Sequence, residues 1–503
     1  MRTRISRHLE SVFAEVALPA ETLEARAAPT PAPSPAPAPA PAPTPAPLLP
    51  PEFNWRDYTI MLLRVAAEIE HSLMVQYLFA AYSLGGPQVP ERLREDVRRW
   101  QEIILGIAKE EMGHLLTVQN LLVSLGGSVN LGREDYPWGT DFYPFPFTLR
   151  RLTRESLARY ICAESPLDWT GEEAERIKLL AAGEQDVPVN RVGALYERLS
   201  DILRDRNRIP ETAFQASTLP YQASWDEWGR GYRRGERARD SGNVPETQSP
   251  DLLILRVVSR DSALRALRNI GEQGEALPAA DSPDGEDRRD PSHFNRFLTI
   301  FRELEEVDRP DQDAVARPVA ENPRTDHRLN EETMALASVL AAGPGQPQPK
   351  VNPITDPEAA DWGHLFNLRY RMLLTDLAHA FRLVGPLDNG ATLTARGSLI
   401  HRAFGEMYNL RAIAGTLLRL PLDRERSSGL LAGPPFEMPY TLDLPAGDRN
   451  RWLLQRDLTE ASVHAVDTLL SATPTAEGEA YLRALREADM QARESIDRIL
   501  AAD

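Results

Sequence analysis

The sequence predicts an all-α protein: a four-helix bundle, then a helical C-terminal region, with long irregular loops between them. Three observations predict it. From residue 55 onward, apolar residues recur at three- and four-residue intervals almost everywhere, and alternating β-branched runs are scarce. The periodic stretches stop at Gly pairs or at Pro, as at Gly85-Gly86-Pro87 and Gly126-Gly127. Three of the apolar stripes also carry a carboxylate at a position that should be oily.

The first stripe reads Ile60, Leu63, Ala67, Glu70, Met74, Tyr77 and Ala81, and predicts a helix over 54–84. The second reads Ile104, Ala108, Glu111, Leu115, Val118, Leu122 and Leu125, for a helix over 91–125. An aromatic and proline-rich loop follows, from Tyr136-Pro137-Trp138 to Pro144-Phe145-Pro146-Phe147. Leu157, Ile161 and Glu164 mark a shorter helix over 153–165, stopped by Pro166, and Val192, Leu195, Tyr196, Leu199 and Leu203 mark one over 190–205. Residues 206–250, rich in Gly, Pro and Trp, read as a long irregular excursion. Helices over 259–274 and 291–306 flank a polar insert at 276–290. Residues 307–355 are loop-like, with a short helix near 329–342. Four further helices are expected at 360–384, 395–419, 449–471 and 475–501. No tandem repeat is evident.

These elements divide the chain into a tail (1–27), a Pro/Ala-rich linker (28–51), a bundle (52–306), a loop-rich connection (307–355) and a helical C-terminal region (356–503). The linker adopts extended polyproline geometry, roughly 3 Å per residue, and packs no core. It tethers Ile5, Leu9, Val12 and Val16, which fall on one side of a short helix. Two readings of the tail stand: a frayed end with chance periodicity, or a peptide on a semi-rigid arm that docks a protein partner.

At 503 residues the chain is long enough to bury a large core. A net charge of −17 argues against nucleic acid or an anionic membrane as its main partner, since both want clustered Lys and Arg. The single cysteine, Cys162, rules out internal disulfides and all-thiolate metal sites. A reducing, cytoplasmic compartment fits. No stretch approaches the ~20 apolar residues of a membrane span. The N-terminus lacks the apolar core of a secretory signal, and Glu10, Glu15 and Glu21 speak against a transit peptide.

A lone ionised carboxylate inside a bundle costs several kcal/mol unless it is paired, protonated or metal-bound. Repeating that cost on three helices points to a cation in the middle. Bundles that hold two iron or manganese ions draw a Glu from each of two helices and a Glu-x-x-His from each of the other two. Residues three apart share a helix face, so Glu111 and His114 reach one ion, and Glu70 supplies a bridging carboxylate. The flanking Glu68, Lys109 and Glu110 point off the stripe, as solvated residues do. Glu164 is the third-helix carboxylate; Glu197 lies off its stripe and ranks lower. No second Glu-x-x-His occurs in the right place. Instead Glu275 and His293, on either side of the polar insert, replace it, while Glu272 reads as a surface ion pair with Arg265 and Arg268. The candidate ligands are therefore Glu70, Glu111, His114, Glu164, Glu275 and His293. Oxygen-rich ligation with imidazole suits iron, as a pair or a single ion, or manganese. The alternative for each is a buried hydrogen bond or a helix cap. Tyr77, two turns beyond Glu70, is either a partner of a ligand or a core aromatic. His71 reads as structural, and His364, His379 and His401 read as core or surface residues.

The runs Glu70-His71-Ser72-Leu73-Met74-Val75-Gln76-Tyr77-Leu78 and Glu110-Glu111-Met112-Gly113-His114 resemble the ferritin-like domain of the iminophenyl-pyruvate dimer synthase family. So do Asn120-Leu121-Leu122, Glu164-Ser165-Pro166, Val192-Gly193-Ala194-Leu195-Tyr196, Gly271-Glu272-Gln273-Gly274-Glu275, Ser292-His293-Phe294 and Ala432-Gly433-Pro434-Pro435-Phe436. The matches are ordered and span about residues 55–440. The family includes enzymes of violacein and related bisindole pathways, which couple two amino-acid-derived imines oxidatively. The resemblance implies a ferritin-like, metal-dependent oxidative enzyme of secondary metabolism acting on such an imine. The long members carry a large additional region that this sequence does not contain. A haem is associated with some relatives, but no haem-ligand motif is evident here. Where those relatives have Pro in the first helix, this chain has Val75. Two other functions remain open: a non-catalytic metal-binding scaffold, and iron storage or detoxification.

Overall fold

Asn54 begins the first helix by lending its side-chain oxygen to the Asp57 N–H at 2.9 Å, pairing a first-turn donor that the helix itself cannot. Helix α1 (Trp55–Ser83) runs until Gly85 and Gly86, whose φ of 85° and 115° glycine takes without strain. After a single 3-10 turn, α2 (Arg94–Ser124) returns along it and packs closely against it. Both helices end within three residues of where the periodicity puts them. The computed structural model describes residues 49, 51–133, 144–145, 147–183, 190–228, 254–274, 292–325, 351–386, 388, 392–472 and 475–502. The tail at 1–27, nearly all of the linker, most of the aromatic loop, the helix expected near 329–342 and Glu275 lie outside the described residues.

The third and fourth bundle helices are each built from two pieces. Helix α3 (Arg154–Ala163) starts on a reciprocal cap between Thr153 and Ser156 and stops at Glu164. The chain then leaves to form α4 (Glu172–Ala182), which packs on α3 and is a helix the periodicity does not predict. On its return the Val192 N–H donates to the Ala163 carbonyl at 3.0 Å, and α5 (Gly193–Arg204) takes up the line. The fourth helix is divided the same way, into α6 (Arg260–Gly274) and α7 (His293–Glu305). Helix α3 packs on α7, and α5 packs on both α6 and α1. Both interruptions therefore fall at the level of Glu164 and His293.

From Glu110 to Leu122, α2 is buried on every side rather than along one stripe. Its polar residues there serve neighbouring loops. Asn120 donates to the Ala223 and Leu255 carbonyls at 2.9 Å each and accepts from the Ala223 N–H, which pins two segments remote in sequence to the helix.

The C-terminal helices α8 (Pro357–Ala380), α9 (Ala395–Leu417), α10 (Asp448–Ser471) and α11 (Ala476–Ala502) pack as a second helical group, close to the expected spans. At its centre Arg369 makes a two-pronged pair with Glu406, both contacts 2.6 Å, and also reaches Asp489 and Ser462 at 2.7 and 2.9 Å. Nearby Asp376 is fully buried with neither carboxylate oxygen in a hydrogen bond, and Arg402 stands 3.6 Å away. Between the two groups runs one parallel pair, β1 (Pro323–Arg324) with β2 (Asn352–Pro353). Among the contacts that tie the groups together are a buried two-pronged pair of Arg396 on α9 with Glu227 at 2.8 and 2.9 Å, His71 of α1 with the Tyr370 hydroxyl of α8, and Arg133 with the Phe436 carbonyl. Gly433 nearby has φ 81°, and a Cβ there would meet Val319 at 2.4 Å, so only glycine fits. Among the described residues no helix is long and apolar enough to cross a membrane.

Candidate metal centre

Five of the six residues singled out by the stripes meet. Glu70 comes from the middle of α1, Glu111 and His114 from α2, Glu164 from the end of α3 and His293 from the first turn of α7. All five are at least 96% buried. They form two triads, Glu70/Glu111/His114 and Glu111/Glu164/His293, in each of which one ligand atom per residue lies within 4.8 Å of the others. Glu111 belongs to both. His114 Nδ1 is 2.8 Å from Glu111 Oε2 and 3.4 Å from Glu70 Oε2, while His293 Nδ1 is 2.9 Å from Glu111 Oε1 and 3.8 Å from Glu164 Oε2.

Outer partners aim these groups. The far nitrogen of His114 lies 3.0 Å from Gln273 Oε1, and that of His293 lies 2.9 Å from Glu110 Oε2. With those acceptors Nε2 carries a proton, which turns Nδ1 inward as the ligand. The Tyr77 hydroxyl donates to Glu164 Oε1 at 2.6 Å, and the Tyr196 hydroxyl donates to Glu70 Oε1. Both phenols are buried and pushed well above their ordinary range, first by burial and then by the carboxylates they face.

Glu110 corrects the expectation of a solvated residue. It is 3% exposed and clamped by both terminal nitrogens of Arg296. The stripe argument assumes one buried face, whereas α2 is enclosed at this level and its second face meets α7. Glu110, Arg296, Gln273 and Tyr196 are the site residues that the sequence reading missed. The one available signal was Arg296, a cation one turn after His293 on an apolar stripe. Glu197 pairs with Arg191 at the surface. His364 and His401 are exposed, and His379 is buried against Trp452.

The cluster draws positive charge. Glu70 is raised to about 8, by burial and then by Glu111. Burial opposes ionisation of Glu111 as well, but His293 and His114 hold it well below the usual carboxylate range. Burial would lower His114, yet Glu111 and Glu70 push it up to about 10. A divalent cation answers the same demand. The fit is tested by what these atoms face: Glu70 Oε2, Glu111 Oε1 and His293 Nδ1 are buried with no well-aligned hydrogen bond, Glu111 Oε1 and His293 Nδ1 standing 2.9 Å apart and Glu70 Oε2 3.4 Å from His114 Nδ1. A poorly satisfied buried polar atom costs about 1–3 kcal/mol, and ligand atoms of several side chains facing one point are the pattern of a coordination sphere. A cavity of about 20 Å³, counted over the positions a water centre can take, adjoins Glu70, Glu111, His114 and Glu164. That is room for one water or small ion. Glycines keep the approach narrow but open: a Cβ on Gly274 would stand 2.9 Å from Glu164 Oε2.

A bundle of four helices with paired carboxylates and imidazoles in its core defines a class, and residues 63–302 match the ferritin-like family model; this part of the chain is a ferritin-like domain. The chain is 30% identical over 415 residues to dichlorochromopyrrolate synthase of Lentzea aerocolonigenes, an alignment covering 75% of this chain and 36% of that protein. It is 27% identical over 407 residues to 2-imino-3-(indol-3-yl)propanoate dimerase of Chromobacterium violaceum, covering 75% of this chain and 33% of the relative. The chain thus spans about a third of the length of the curated relatives it matches. No solved structure matches it significantly.

Proposed function

We propose that the ferritin-like domain is the working part of a metal-dependent oxidoreductase, best served by iron, that acts oxidatively on a small imine of an aromatic amino acid in secondary metabolism. The observation that carries this reading is the convergence of buried, poorly hydrogen-bonded ligand atoms from separate helices beside a cavity. A purely structural metal site is closed by its ligands, whereas a catalytic one keeps a position open. The substrate class rests on the relative from Chromobacterium violaceum, whose name specifies an indolyl imine.

Glu70, Glu111, His114, Glu164 and His293 would hold one or two ions. Bound there, iron would supply one-electron chemistry with dioxygen. The chain's own residues do the rest. Tyr77 and Tyr196 fix one oxygen of Glu164 and of Glu70, and each keeps its proton at the phenol oxygen. Leu73, Val192 and Ile270 line the cavity wall and exclude bulk water from the carboxylates.

The full chain, loaded anaerobically with Fe(II), is mixed with dioxygen and the imine generated in place from tryptophan by an amino-acid oxidase, whose own dioxygen consumption is measured without the chain and subtracted. Dioxygen uptake that requires both iron and imine is expected, and Glu111→Ala should abolish it while the helical circular-dichroism signal stays. Uptake no faster with imine than without it would leave a metal-binding scaffold.

A further inference from the structure

The two triads are near copies. Each offers two carboxylates and one imidazole through Nδ1, and each has a tyrosine hydroxyl on its unshared carboxylate. They differ behind the imidazole. His293 leans on Glu110, a carboxylate held in place by both terminal nitrogens of Arg296; His114 leans on the neutral amide oxygen of Gln273. A charge-assisted hydrogen bond is roughly twice as strong as a neutral one, and a carboxylate behind a ligating histidine raises its basicity. Because Arg296 cancels the long-range charge of Glu110, the effect is short-range and confined to His293.

The supports differ in rigidity as well. Glu110 and Arg296 are buried on α2 and α7. Gln273 is half-buried in the last turn of α6, next to the interruption of that helix. The cavity touches four of the five ligands, Glu70, Glu111, His114 and Glu164, and does not reach His293, so both unshared ligands of the Glu70/Glu111/His114 half face it but only the carboxylate of the other.

We propose that the metal centre is built unequal: the Glu111/Glu164/His293 half takes the first ion and retains it, and the Glu70/Glu111/His114 half takes a second, exchangeable ion at the face where substrate arrives. This rests on the metal reading above, and the experiment separates the two.

Metal-free full chain is titrated with Co(II), followed by calorimetry and by the visible absorption of the bound ion, with Fe(II) under anaerobic conditions as a second probe. Two steps are expected, the first at least about tenfold tighter, in keeping with the 10–100-fold that a second partner of a metal ligand typically controls. Glu110→Gln should weaken the first step about tenfold or more and leave the second. Should that buried substitution impair folding, Gln273→Glu on the half-buried turn supplies the converse: it should tighten the second step about tenfold and draw the two steps together, which a merely structural role for Gln273 would not do. Two equal steps, a single ion per chain, or a Gln273→Glu variant with an unchanged second step would overturn the inequality and leave the metal site standing. No binding at all would remove the metal reading itself.

Discussion

Asp376→Asn is expected to stabilise the protein. Asp376 sits on α8 two turns from Tyr370, the residue that braces α1 at His71 beside Glu70. Burial raises its carboxyl from 3.8 to about 7, a rise that the guanidinium of Arg402 at 3.6 Å and the nearby amide of Gln455 only partly oppose. The unfolded chain therefore loses this proton near pH 4, while the folded chain keeps it until about pH 7. Below pH 4 the residue costs the fold nothing. Between those values stability falls, and above both the cost levels off at roughly 4 kcal/mol, at about 1.4 kcal/mol per pH unit. An amide of the same shape has no charge to desolvate. The variant should gain about 2–4 kcal/mol at pH 8 and about half that at pH 5.5, where part of the penalty has not yet developed. Urea unfolding of both proteins at the two pH values, with amide exchange in α8 as the local readout, measures it. An equal gain at both pH values, or a loss at pH 8, would refute the reasoning, because the carboxylate would then be paired rather than stranded.

Three further outcomes are expected. Gly274→Ala places a methyl 2.9 Å from Glu164 Oε2, so α6 or the carboxylate must shift; metal affinity should fall about tenfold, read by Co(II) titration, with helix content unchanged. Tyr77→Phe leaves the buried Glu164 Oε1 without its donor and should cost about 1–3 kcal/mol in a denaturant titration of the metal-free chain. Arg369→Met strands Glu406 and Asp489 in the C-terminal core and should cost about 3–5 kcal/mol by the same assay, whereas replacing all three with apolar residues should restore most of it.

The seam carboxylates were legible because a three-four alternation fixes which side of a helix a residue takes, and Glu70, Glu111 and Glu164 broke an otherwise oily line. His293 was legible for the same reason, at the head of Phe297, Ile300 and Leu304. Glu110 was not, since α2 has no solvent side at that level and one stripe cannot describe a helix enclosed all round. Nor was the joining of α3 to α5 and of α6 to α7. Pro166 and the polar insert end the local pattern, and periodicity carries no information across a gap in which the chain leaves and returns. Gln273 and Tyr196 act through neighbours remote in sequence, and no spacing rule connects either to its partner. Helix α4 escaped notice because only Ala174, Ile177 and Ala181 of its residues are buried, too few to stand out from a polar run.

The divided third and fourth helices have a consequence for how such a protein can vary. In a continuous helix one inserted residue turns everything downstream by about 100° and moves it about 1.5 Å, which would swing a ligand out of register. Here Glu164 and Tyr196 stand on opposite sides of a cut, as do Gln273 and His293, so each cut absorbs added or lost residues without rotating either neighbour. Chain length is thus free to change at the rim of the cavity, where a new substrate would ask for it, while Glu70, Glu111 and His114 stay locked on α1 and α2.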